Sequence, residues 1–354
     1  MSKLSFFILT AVLGTVLVLT GCAEQPANDS GADKSTTEQP TYDPDDYQWS
    51  TGMGPYNDKI SYATSSNLTS WTDSGEVLVE HASVPGAVVK DGTIHVYFVD
   101  VATDGIPEQI GLIKSTDEGK TWSDKETIVI DDLGSKVAVD PAPFLLDDGR
   151  IRLYYYDINV DQSPSATFNI YSAVSADGLN FTEEAGSRFA DVGTLDPDVI
   201  KVGDDWYMYT GTLDPPSVVV AKGTDGLNFT KVGTAFTDGA VPDVFVSGDD
   251  YYLYTAGINI AKSTNPENFS GSVGQFQSTI GQVTADPSVV ELSDGTYLML
   301  YKTSDGGGPV GPPNGDIPPP PPDSNVPAPT GTDTPPPPTT STPPPPPVPD
   351  AVPM

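Results

Sequence analysis

Five stretches of the chain share one form: an Asp or Val, a Pro, a few apolar residues, a Gly/Asp turn and an aromatic run. They are "VPGAVVKDGTIHVYFV" at Pro85, "DPAPFLLDDGRIRLYYY" at Pro141, "DPDVIKVGDDWYMYTG" at Pro197, "VPDVFVSGDDYYLYTA" at Pro242 and "DPSVVELSDGTYLMLY" at Pro287. Each sets two runs rich in Val, Ile, Leu, Tyr and Phe around a short polar turn, the pattern of a β-hairpin. The prolines lie 56, 56, 45 and 45 residues apart, a period in the range of propeller blades. Helix-period patterns are nearly absent, so an α/β arrangement is disfavoured.

A second half-repeat follows the first four hairpins: "IGLIKSTDEGKTWSD", "IYSAVSADGLNFTEE", "VVVAKGTDGLNFTKV" and "INIAKSTNPENFSGS". Its fifth copy, "ISYATSSNLTSWTDS" at residues 60–74, precedes the first hairpin, and the hairpin at Pro287 has no copy after it. That displacement predicts an all-β, five-bladed β-propeller over residues 45–305, its last blade closed by N-terminal and C-terminal strands. Closure removes the open edges of a linear array. "YQWSTG" at residues 47–52 is a competing candidate for a strand of the closing blade.

Both ends of the chain read differently. Residues 1–22 carry Lys3, an apolar run and "LTGC", the form of a bacterial lipoprotein signal peptide with Cys22 as the lipidation site. The run is shorter than the ~20 residues a membrane-spanning helix needs. Residues 23–44 are polar and aperiodic, a flexible tether, and residues 306–354 are a Pro-rich tail that favours extended, disordered chain. Cys22 is the one cysteine, so disulfides contribute nothing. The expected location is the bacterial cell envelope, extracytoplasmic and lipid-anchored at the outer membrane or cell surface. With 49 acidic against 16 basic residues the net charge is −33, and no basic stripe appears. Nucleic acid is thereby disfavoured as a partner, membrane contact is expected through the lipid anchor only, and a monomer is expected.

The first strand of a propeller blade lines the central channel. Asp140, Asp196 and Asp286, each immediately before its proline, are expected to converge on one mouth. Asp198 lies two residues beyond Asp196 and so on the same strand face, and Asp243 is its equivalent one blade later. Converging carboxylates repel, which points to metal binding or to acid/base chemistry. Taken singly, each Asp is also a common turn opener that caps backbone N–H groups. Calcium, which takes several oxygen ligands, is a possible structural ion in the channel, and no cofactor is required. His81, four residues before Pro85, is a candidate substrate-binding residue at the mouth, whereas His95 lies within a strand.

These "DP" strand openers followed by "DG" and "YY" hairpins resemble the five-bladed propeller glycosidases of glycoside hydrolase families 43, 32 and 117. The resemblance implies an Asp on one inner strand as base or nucleophile, a second Asp that orients, and a Glu on a third inner strand as acid. The sequence departs from that pattern: Val84 replaces Asp in the first repeat, and no inner strand carries the Glu. Asp243 or Asp198, with a raised pKa, is then the expected acid. "STDEGKTW" at residues 115–122 matches the Asp-box of sialidases, a structural turn remote from the channel. Only Arg150, Arg152 and Arg188 exist to hold a substrate carboxylate, all on one blade, which disfavours sialic acid. The implied function is a surface-anchored glycoside hydrolase acting on a neutral oligo- or polysaccharide. Alternatives are a catalytically inactive carbohydrate-binding propeller and a scaffold for protein interactions.

Overall fold

The computed structural model of the protein describes residue 55 and residues 57–304, apart from 102–107 and 161–165. Cys22 with its signal segment, the tether, residues 47–52 and the Pro-rich tail lie outside the described residues. Among the described residues no helix is long and apolar enough to cross a membrane.

The strands form five sheets. The first blade is β3 (Ala82–Lys90), β4 (Thr93–Val101), β5 (Glu108–Ser115) and β6 (Glu126–Thr127). The second runs β8 (Ala138–Leu145), β9 (Ile151–Asp157), β10 (Thr167–Ser175) and β11 (Asn180–Glu183), with β12 (Phe189–Val192) also on β10. The third is β13 (Thr194–Val202), β14 (Asp205–Leu213), β15 (Pro216–Gly223) and β16 (Thr230–Phe236). The fourth is β17 (Asp243–Ser247), β18 (Asp250–Thr255), β19 (Asn259–Ser263) and β20 (Gly274–Gln275). In the fifth, β21 (Val283–Glu291) and β22 (Tyr297–Ser304) are completed by β1 (Asp58–Ser65) and β2 (Thr72–Glu80).

The displaced half-repeat therefore closes the ring, as the sequence implies. β1 lies antiparallel to β22 in unbroken register, from Asp58 opposite Ser304 to Ser65 opposite Tyr297. The second blade departs from the four-stranded expectation, because β7 (Val129–Asp131) leaves the first blade and pairs parallel with β11.

Aromatic residues of the second strands explain how neighbouring blades hold together. Tyr97, Tyr154, Tyr209 and Tyr254 occupy equivalent register positions, and each hydroxyl donates to a backbone carbonyl in the half-repeat turn of the next blade. The acceptors are Gly178 (2.8 Å), Gly226 (2.8 Å), Pro266 (2.8 Å) and Leu68 (2.7 Å). A buried tyrosine needs such a partner, and these four put it across a seam. In the fifth blade the equivalent position is Leu300, opposite Ser288, so the seam from the closing blade to the first lacks this bond. Between the sheets the core is apolar, with Tyr154 of β9, Met208 of β14 and Val219 of β15 in one buried cluster.

Candidate active site at the channel mouth

The repeated residue–Pro step begins each inner strand with an irregularity. Register shifts fall at Ser83/Gly86, Val139/Ala142, Leu195/Asp198 and Ala285/Ser288, the signature of a β-bulge. The residue before each proline adopts a left-handed backbone: Val84 (φ 47°), Asp140 (52°), Asp196 (50°), Val241 (57°) and Asp286 (49°). The five steps surround a cavity of about 140 Å³. Its next level is lined by Gly86, Ala142, Asp198, Asp243 and Ser288. A side chain at Gly86 would meet the Pro141 carbonyl at 2.0 Å, so the first blade approaches the second too closely there for anything larger.

Asp140, Asp196 and Asp286 do come together. Asp140 and Asp196 are hydrogen-bonded to each other. Burial, then the charges of Asp196 and Asp286, raises the Asp140 carboxyl well above the usual carboxylate range. Burial and the Asp286 charge push Asp196 up to about 7, with Lys302 opposing them. Two carboxyls in contact cannot both ionise, so the pair holds a proton at neutral pH, with Asp140 as its donor and Asp196 as its acceptor.

Lys302 comes from β22. Its Nζ lies 2.6 Å from Asp286 Oδ2 and 3.7 Å from Asp58 Oδ2. Burial opposes its charge, but Asp286 and Asp58 outweigh burial and keep the ammonium protonated. Asp58 also accepts from Ser83 Oγ at 2.8 Å, and burial raises its pKa against the pull of Lys302. Glu108 opens β5 opposite Val101, on the same end of the first blade as Val84. Burial, helped by the Asp58 charge, pushes it up to about 7, and its own charge is felt by Asp140.

Asp198 and Asp243 sit one level deeper and are engaged differently. Asp198 Oδ2 accepts the Val244 N–H of the next blade at 2.8 Å; burial raises its carboxyl to about 7 against that bond and one from the Val199 N–H. Asp243 is raised well above the usual range by burial and by the Asp198 charge, and accepts from the Val289 N–H and the Ser288 side chain. Ser288 Oγ in turn accepts the Ala87 N–H at 2.9 Å. The three residues thus form a girdle that ties the third, fourth, fifth and first blades around the channel. His81 stands one residue before β3, also with a left-handed backbone (φ 56°).

Asp58, Glu108 and Lys302 are mouth residues that the repeat pattern does not identify, because they lie on second and third strands outside the Asp-Pro step. Lys302 had a signal: its register equivalents are Val99, Tyr156 and Gly211, so it is a charge where the sister hairpins have none. The residues do not fit calcium. Asp140 and Asp196 share a proton instead of presenting two charges, and the Lys302 ammonium already lies among the remaining carboxylates. Among the described residues no group of three or more His, Cys, Asp or Glu is arranged to hold a metal ion.

Similar folds occur among glycoside hydrolases. A Bombyx mori GH32 beta-fructofuranosidase matches with a TM-score of 0.47 at 20% identity, covering 61% of this chain and 54% of that one. The likeness is one of fold. A thermostable family-43 glycoside hydrolase (TM-score 0.48, 13% identity) is covered over 96% of its chain and 65% of this one. A family 117 glycoside hydrolase from the marine bacterium Zobellia galactanivorans (TM-score 0.47, 16% identity) is covered over 84%, against 63% here. The chain spans about half the length of the Bombyx mori enzyme. No protein-family model matches the sequence, and no curated protein matches it.

Proposed function

We propose that the protein is a lipid-anchored glycoside hydrolase of the cell envelope that cleaves a neutral oligo- or polysaccharide at the channel mouth. The observation that carries this reading is the proton-sharing Asp140–Asp196 pair with a further carboxyl, Glu108, near enough for its charge to act on Asp140. Hydrolysis of a glycosidic bond needs a carboxyl that protonates the leaving oxygen and another that activates water or attacks the sugar. Asp140 and Asp196 touch, whereas acid and base across a scissile bond stand at least about 5–5.5 Å apart. The touching pair therefore supplies one function: Asp196 acts as base or nucleophile and Asp140 holds it in position. Glu108 is the acid, since a carboxyl pushed up to about 7 keeps its proton in a large share of molecules at neutral pH, where an ordinary carboxyl has lost it. Lys302, beside the mouth carboxyls, is committed to Asp286 and Asp58 and is not available to a substrate carboxylate, which favours a neutral sugar. Calcium has no part in this reading.

The 140 Å³ of the channel favours a second reading, a carbohydrate-binding propeller without turnover, because ligand pockets usually enclose about 300–1,000 Å³. One experiment separates the two: arabinan, xylan, fructan, agaro-oligosaccharides and aryl glycosides are offered to the full chain and to Asp196→Asn. Loss of a positioned base should lower turnover by ~10²–10⁴-fold while sugar binding persists. Binding without hydrolysis in the unaltered protein selects the second reading, and neither binding nor hydrolysis removes both.

A further inference from the structure

On the face opposite the mouth, the seam between the first and second blades is not filled like the others. The residue that pairs four positions after the Pro-step opener is His95 in the first blade and Arg152, Tyr207, Tyr252 and Leu298 in its sisters. Arg152 spans its seam to the Gly226 carbonyl (3.4 Å) and is pinned by Glu184. Tyr207 and Tyr252 are each covered by a lysine from the third strand, Lys222 at 5.1 Å and Lys262 at 5.2 Å from the ring centroids. In the first blade the corresponding lysine, Lys114, instead meets Glu126 at 2.7 Å. A smaller ring and a lysine turned aside leave an open groove of about 620 Å³, within the ordinary range for ligand sites.

The groove is lined by Thr93, His95, Thr116, Thr121, Trp122 and Ser123. Its charges are already answered. Lys114 is paired with Glu126, Lys90 Nζ donates to the Gly149 carbonyl and lies 3.5 Å from the exposed Asp91 carboxylate, and the Asp177 carboxylate accepts from Ser175, Leu179 and Asn180. Burial lowers the His95 pKa, so the ring is neutral; Nδ1 lies 3.2 Å from the Thr93 carbonyl and must donate to it, which leaves Nε2 an acceptor. Thr121 and Ser123 already donate to Asp117 Oδ2 and to the Asp124 carbonyl, so what remains is the Thr93 and Thr116 hydroxyls, a neutral imidazole and the half-buried Trp122 indole. We propose that this groove is a second saccharide site, which takes a neutral oligosaccharide by hydrogen bonds from its hydroxyls and by contact of an apolar sugar face with Trp122. From Val84 to Lys90 the inner strand spans roughly 20 Å at ~3.3 Å per residue, so the groove is separate from the mouth and does not depend on whether the mouth hydrolyses.

The two histidines of the chain, His81 and His95, fall on opposite faces and report separately. The experiment follows both imidazole resonances by NMR in full-length Asp196→Asn while arabino-, xylo-, fructo- and agaro-oligosaccharides are added to millimolar concentration. At least one probe should shift His95 and leave His81 in place. Thr116→Arg, an exposed position that extends a long side chain into the groove, should weaken that binding by about tenfold or more. The proposal fails if no probe moves His95, or if Thr116→Arg leaves the titration unchanged. A His95 response, together with no hydrolysis by the unaltered protein, upholds the groove while removing the catalytic reading of the mouth.

Discussion

Replacing Asp198 by Asn should stabilise the protein at alkaline pH and leave it nearly unchanged at pH 4. The Asp198 carboxyl is raised from 3.8 to about 7, chiefly by burial. A carboxyl whose folded pKa is raised binds its proton more tightly in the folded chain. Nothing is lost below the unfolded value; stability then falls as pH rises from about 4 to about 7, and the loss levels off above that. A shift of about 3 units at ~1.36 kcal/mol each corresponds to about 4 kcal/mol, and water in the channel screens part of it. Asparagine keeps an oxygen for the Val244 N–H and removes the titration, and it also relieves Asp243, whose carboxyl feels the Asp198 charge. Thermal unfolding of both proteins at pH 4 and pH 8 measures the effect. In a domain of this size ~1 kcal/mol is worth about 2–4 °C, so a gain of roughly 5–10 °C should appear at pH 8 only. An equal difference at both pH values, or a less stable Asn variant at pH 8, would refute the reasoning.

Glu108→Gln should remove the alkaline limb near pH 7 from the kcat profile and lower turnover by ~10²–10⁴-fold; a profile that keeps the limb assigns it to another group. Tyr254→Phe takes the donor from the Leu68 carbonyl between the fourth and closing blades, and urea unfolding should register about 1–3 kcal/mol for the buried acceptor left alone. Cys22→Ser should move the protein from the membrane fraction to the soluble fraction. Calcium and chelator should give the same melting temperature, because Lys302 supplies the positive charge among the mouth carboxylates.

The architecture was readable in the sequence because a propeller repeats one local unit, and a hairpin announces itself through alternation, turn residues and spacing. The displaced copy at residues 60–74 even specified which strands close the ring. Asp140, Asp196 and Asp286 were readable for the same reason, since they recur at one position of the repeat. Glu108 was not, because what brings it to the mouth is the return of the chain along β4, and the residue carries no motif. The distinction between the two carboxylate levels was also hidden. Side chains two apart share a face in a regular strand, but the bulge at Asp196–Pro197 inserts an extra residue between Asp196 and Asp198. Both still line the channel, one facing Asp140 and the other tied to the backbone of the next blade.

The two valines show that the backbone does not account for the mouth aspartates. Val84 and Val241 occupy the same left-handed conformation as the three aspartates, although a β-branched residue is the type least suited to it and Asp is among the best. The bulge imposes that conformation whatever the side chain, so the fold does not require Asp at 140, 196 or 286. These carboxyls meet one another and Lys302, and burial of Asp140 and Asp196 works against their charged forms. The order around the ring, Val84, Asp140, Asp196, Val241, Asp286, then accounts for how the charges are handled. Asp140 and Asp196 are neighbours and share a proton, whereas Asp286 stands between two valines and is met by a lysine. The first blade, which contributes Val84 to the ring, contributes Glu108 from its third strand, a carboxyl pushed up to about 7 whose charge is felt by Asp140. In the proposed reading Glu108 serves as the acid and the Asp140–Asp196 pair as the base, the division of labour that glycosidic bond hydrolysis requires.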